Sequence, residues 1–202
     1  MTFTFAVPFC GTWMKQPEYE PSAADEFEVL DLRRWDEGRG DTLAVGLWSD
    51  VRPLRGASGL LDWRLCGKLS AWLASGKLVG SDGEQTLFPS GGRLAWKLVL
   101  AVGLGKRGDF TEKRFRGAVH RIVKTLRGLG LSKVAMALPG RDDGTAISAR
   151  RALDLVIHES EEVQPGVVKD LTVIDNATAQ KEMADLLRQR GLAGAAVAPS
   201  RP

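Results

Sequence analysis

Asp41-Thr42-Leu43-Ala44-Val45-Gly46-Leu47-Trp48 opens the stretch that decides the fold, and Lys133-Val134-Ala135-Met136-Ala137-Leu138-Pro139 closes it. Residues 42–48 form a near-continuous apolar run of strand length, the pattern of a strand covered on both faces. Residues 58–75 carry Leu61, Leu65, Leu69, Trp72 and Leu73 at helical spacing, and Gly76 is placed to end that helix. A short strand follows at 84–89, then a Ser90-Gly91-Gly92 turn and a second buried strand at 96–103. Asp109 with Glu112 makes a capping-box pattern for a helix running to about Leu129. Residues 133–138 are a third buried strand, stopped by Pro139-Gly140.

Residues 145–159 place Ala149, Ala152, Leu153 and Val156 on one helical face. A short strand at 170–174 follows, and Asn176 is suited to cap a last helix through Arg190. Upstream, 27–31 alternate as a strand does, 35–40 read as a turn, 16–25 as a tether and 2–7 as an edge strand. Strands alternating with helices define an α/β fold. The expectation is a three-layer α/β/α domain around a mixed, mostly parallel sheet of about six strands. Residues 1–40 then form an amino-terminal arm with edge strands, 41–190 the domain, and 191–202 a flexible tail.

The 202 residues suffice for a core without disulfides or metals. A net charge of +3 does not by itself argue for nucleic acid. Cys10 and Cys66 form no spaced motif, which favours a reduced, cytoplasmic setting, with Cys66 read as a small core residue among Leu65, Leu69 and Trp72. No apolar run approaches the roughly 20 residues needed to span a bilayer. The apolar start breaks at Pro8 and lacks a basic region, unlike a signal peptide.

Four features invite chemistry. In the turn Gly103-Leu104-Gly105-Lys106-Arg107-Gly108, backbone amides between a strand and a helix can cradle a phosphate, with Lys106 or Arg107 adding charge. Its spacing is neither a P-loop nor a dinucleotide fingerprint, and a tight turn needing positive φ is the plain alternative. On the helix that follows, Lys113, Arg116, Arg121, Lys124 and Arg127 lie away from the apolar stripe, with His120. Such a one-sign face suits phosphates or an acidic partner, or is simply solvated. His158 stands beside Glu159, Glu161 and Glu162, but no second His or Cys completes a known ligand spacing, so a surface acid cluster and no metal is expected. Of the six tryptophans, Trp48, Trp63, Trp72 and Trp96 read as core, with Trp63 a candidate for the surface. Trp13 and Trp35 read as cover for a sheet edge or as partner contacts.

The segments Leu54-Arg55-Gly56-Ala57-Ser58-Gly59-Leu60-Leu61-Asp62 and Leu98-Val99-Leu100-Ala101-Val102-Gly103-Leu104-Gly105-Lys106 resemble the amino-terminal, non-catalytic domain of cytosolic leucine aminopeptidases. Gly83-Glu84, Arg151-Ala152-Leu153 and Leu171-Thr172-Val173-Ile174 follow in that family's order, and the likeness spans about 41–175. The resemblance implies a macro-domain-like fold that helps whole enzymes assemble and, in some bacterial members, binds DNA. The family's two-metal chemistry belongs to another half, with an Asn-Thr-Asp-Ala-Glu-Gly-Arg motif that does not occur here, so no catalytic residue carries over. True macro domains hold ADP-ribose with an Asn-rich and a Gly-rich loop, and the first is absent after Trp48.

These readings lead to a non-catalytic interaction or regulatory protein without cofactors, acting by self-association or by docking on a protein partner and not on a membrane. A phosphate-containing ligand such as ADP-ribose or a nucleotide, and DNA held by the basic helix, are the alternatives.

Overall fold

The computed structural model describes residues 27–29, 35–36, 40–131, 133–141, 147–163 and 171–190. The expectations for 2–7, 16–25 and 191–202, and for Trp13 and Cys10, lie outside the described residues.

Six strands form one sheet: β1 (Phe27–Val29), β2 (Thr42–Trp48), β3 (Gln85–Pro89), β4 (Leu98–Gly105), β5 (Val134–Ala137) and β6 (Leu171–Asp175), in the spatial order β1-β6-β5-β2-β4-β3. Every pairing is parallel except β3 with β4. The described helices are α1 (Gly56–Arg64), α2 (Lys68–Ala74), α3 (Glu112–Gly128), α4 (Ala149–Val163) and α5 (Ala177–Gln189). This is the expected mixed, mostly parallel α/β architecture.

The strand period of two divides the sheet's faces. Leu43, Val45 and Leu47 point to a core shared with Leu61 of α1, Leu69 of α2, Val99, Ala101 and Ala135. Ala44, Leu100, Val102 and Met136 point the other way, onto Ile122 and Leu126 of α3. Val173 of β6 joins the packing among α3, α4 and α5 on that same side. Both faces are thus covered, which is why β2 and β4 read as unbroken apolar runs.

Trp35 is fully buried and meets Trp96 edge-on at 5.7 Å between ring centroids. That geometry favours the ring quadrupoles. Together with the pairing of β1 on β6, it builds part of the 1–40 segment into the domain, and it fixes Trp35 as core.

Several boundaries differ from the sequence expectation: β4 spans 98–105 where 96–103 was expected, α4 spans 149–163 where 145–159 was expected, and residues 35–36, expected in a turn, are helical. The single helix at 58–75 is two helices, parted at 65–67. Cys66 takes φ +55° and Gly67 φ +77°, both left-handed, and the Asp62 carboxylate accepts from the amides of Leu69 and Ser70 at the start of α2. Cys66 is consequently exposed rather than part of the core. The cap of α3 is Thr111, whose hydroxyl accepts from the Arg114 amide, while Asp109 belongs to a preceding 3-10 turn (Arg107–Asp109). Asn176 caps α5 as expected, accepting from Ala179 at 2.9 Å.

Candidate functional site

The sheet's topology fixes where a site would form. β2 runs between β4 and β5, and the helices that follow those two strands pack on the face opposite α1, which follows β2. Such a switch opens a crevice at the carboxyl end of the central strand. Here Trp48, the last residue of β2, meets Phe110 edge-on at 4.8 Å. Gly140, beyond β5, lies against both rings, and a Cβ there would sit 2.7 Å from Phe110 and 3.0 Å from Trp48. Aromatic side chains therefore fill the crevice floor.

The Gly103–Gly108 turn sits at one side of this crevice. Gly103 and Gly105 are the final buried residues of β4 rather than a free loop. The Gly103 amide donates to the Glu84 carbonyl at 2.8 Å and the Gly105 amide to the Gly80 carbonyl at 2.9 Å. The Arg107 amide donates to the Asp50 carboxylate at 3.0 Å. Gly105 has φ +75°, as a tight turn requires. A Cβ on Gly103 would collide with the Ser81 carbonyl oxygen, so that glycine answers a close backbone crossing. Lys106, Arg107 and Gly108 are exposed. Three of the amides that suggested a phosphate cradle are thus engaged inside the protein.

Glu84 explains the Gly83-Glu84 signature. Its carboxylate accepts from the amides of Val79, Gly80 and Ser81, at 2.6 Å for Gly80. The side chain takes the place an anion would take in a nest of amides, and it closes the loop before β3.

The outer face of α3 is equally engaged. Arg116 Nε donates to Glu159 Oε1 at 2.6 Å, and Arg121 donates to Asp82 at 2.5 Å. Arg127 donates to the Val163 carbonyl. Arg114 lies 4.0 Å from Asp82 and 3.9 Å from Asp109. The bond to Glu159, then its charge, raises the Arg116 pKa above the usual guanidinium value. At the helix start, Glu112 accepts from Arg151 of α4 at 2.6 Å, and that bond holds its carboxyl below the usual range. Lys113 and Lys124 are exposed. A face that carries one sign of charge in the sequence is laced to acids from other elements.

The α1–α2 corner was less conspicuous in the sequence. Trp63 on α1 is 66% exposed, the highest value among the large hydrophobic residues described. It lines an open groove of about 680 Å³ with Asp62, Arg64, Cys66, Gly67 and Arg93. Arg93 reaches across to the Cys66 sulfur at 2.8 Å. Trp63, a surface candidate in the sequence, is placed on solvent by the packing of α1, whose Leu61 faces the core.

The architecture defines a macrodomain-like α/β protein. A macrodomain of Oceanobacillus iheyensis (a mutant form) superposes with a TM-score of 0.61 at 11% identity, covering 85% of this chain and 96% of that one. The macrodomain of Mycobacterium tuberculosis DarG gives 0.55 at 13% identity over 71% and 93%. A tomato leucine aminopeptidase mutant gives 0.51 at 17% identity over 83% and 36%. Residues 44–165 match the model of the cytosol aminopeptidase family, N-terminal domain, and the chain belongs to that family. A probable cytosol aminopeptidase of Pseudomonas fluorescens is 33% identical over 153 residues, which is 70% of this chain. The chain spans about a third of that relative's length, 31%.

Proposed function

We propose that this chain acts as a non-catalytic interaction domain, docking on a protein partner or on a second copy of itself through the α1–α2 corner, in a cytoplasmic setting. The observation that carries the reading is Trp63, an aromatic side chain two-thirds exposed beside an open groove. Tryptophan and arginine are the side chains that most often anchor interfaces, and Arg64 and Arg93 flank it. The region matched to the family is its N-terminal domain, and no position here answers that family's catalytic motif. Satisfied amides in the Gly103–Gly108 turn and paired arginines on α3 lend less support to a phosphate ligand or to DNA than the open corner lends to docking. Among the described residues, no helix is long and apolar enough to cross a membrane.

Light scattering of the purified chain, alone and after affinity capture from its source cell, tests the reading. A stable complex that Trp63→Ser disrupts is the expected result. Metal-dependent hydrolysis of leucine amides by the purified chain, or complexes indifferent to Trp63, overturns it.

A further inference from the structure

Outside the α1–α2 corner, one cluster joins groups that the sequence keeps apart. His120 on α3 and His158, Glu159 and Glu162 on α4 come together where the two helices pack. His120 and His158 are the chain's two histidines. The His120 Nδ1 lies 3.4 Å from Glu159 Oε2. His158 Nδ1 lies 3.7 Å from Glu162 Oε1 and 3.9 Å from Glu159 Oε1. One ligand atom from each of His120, Glu159 and Glu162 falls within 4.8 Å of the others. His120 and Glu159 line an open groove of about 440 Å³.

We propose that His120, Glu159 and Glu162 form a site for a divalent transition-metal ion of the zinc type, bridging α3 to α4. Three features of the cluster support it. The Glu159 side chain is 5% exposed, and Arg116 holds its Oε1, which orients the carboxylate and leaves Oε2 turned to His120. The 3.4 Å between Nδ1 and Oε2 is the edge of a tetrahedron whose metal–ligand distances are about 2.1 Å. Glu162 is exposed, its Oε1 3.7 Å from His158 Nδ1 at i,i+4 spacing, and a change of rotamer away from that contact would bring it onto the third corner. Imidazole with carboxylate suits zinc, cobalt or nickel better than the all-oxygen shells of calcium and magnesium. Arg116 lowers the affinity by its charge but does not occupy Oε2. A bound ion would link two helices already packed together, so its effect is to stiffen that face.

The test uses the tag-free 202-residue chain, titrated with zinc by calorimetry and with cobalt by visible absorption. One equivalent of zinc, a cobalt spectrum of tetrahedral intensity and a rise in Tm with zinc are expected. His120→Gln and Glu162→Gln alter exposed or half-exposed side chains, so both should fold, and each should weaken zinc at least tenfold. Acidification should release the ion, because protons compete with it for its ligands. Cys66→Ser should bind as the unmodified chain does. Absence of saturable binding at 100-fold excess zinc overturns the site, as does binding that survives both substitutions or is lost in Cys66→Ser. These outcomes are independent of Trp63 and of the docking reading.

Discussion

Arg116 Nε and Glu159 Oε1 are 2.6 Å apart, and this bond joins the solvent side of α3 to a carboxylate buried on α4. A buried carboxylate without its cation is costly, whereas apolar replacement of both partners can be nearly neutral. Arg116→Met should therefore lower Tm clearly, and adding Glu159→Leu should recover much of the loss. A thermal double-mutant cycle measures this, and equal Tm values for the single and double variants would refute it.

Glu84 accepts from three amides at once, so its removal takes away their acceptor within the protein, and the part-buried Gly80 amide loses most by it. Glu84→Ala should cost about 1–3 kcal/mol, the usual range for such losses. Urea unfolding gives the value. Hydrogen exchange should quicken at Val79, Gly80 and Ser81 before it quickens in the sheet.

Gly103→Ala and Gly108→Ala separate steric need from ligand need in one turn. The first drives a Cβ into the Ser81 carbonyl oxygen and the second meets nothing within 4 Å. We expect Gly103→Ala to cost about 3 kcal/mol or more and Gly108→Ala less than about 0.5 kcal/mol. Denaturant midpoints of the two variants check the contrast.

Trp63 projects into solvent, so Trp63→Ser should leave stability within about 0.5 kcal/mol of the parent while abolishing the proposed docking. A large fall in Tm would mean that Trp63 supports the core instead.

Acid titration probes Glu112. Its folded pKa lies below the unfolded 4.5 because Arg151 donates to the carboxylate, with a smaller charge contribution from Arg151 and Arg116. The resulting stabilisation is complete above the unfolded value and is lost as pH falls through the folded value. Tm profiles of the parent and Glu112→Gln should differ near neutral pH and converge in strong acid. A gap that persists below the folded value would contradict the linkage.

Much of the sheet is legible in the sequence. The apolar runs around Val45, Val102 and Met136 sit in strands covered on both sides, and burial on both faces admits few polar residues. Asn176 also announces its helix, since a cap acts on its own backbone neighbours. The break at Cys66 is hidden because Leu61, Leu65 and Leu69 keep their four-residue spacing across it. Two left-handed residues redirect the chain without disturbing that stripe. The cap of α3 moved from Asp109 to Thr111 for a local reason: residues 107–109 close a tighter turn first.

The candidate sites divide along the same line. Sequence alone settled the class of fold and most of the order of strands and helices, because periodicity, turns and caps are short-range properties of the chain, and its quoted segments resembled the family whose model it matches. Tertiary structure decided the fate of the charges. It brought Asp82 to Arg121 across 39 positions and Glu159 to Arg116 across 43, and it set His120 beside Glu159 and Glu162. It also spent the amides of the glycine turn on Glu84, Gly80 and Asp50, and left Trp63 in solvent. Electrostatic and hydrogen-bond pairing act through space between elements, and their partners are fixed by the packing of helices on the sheet.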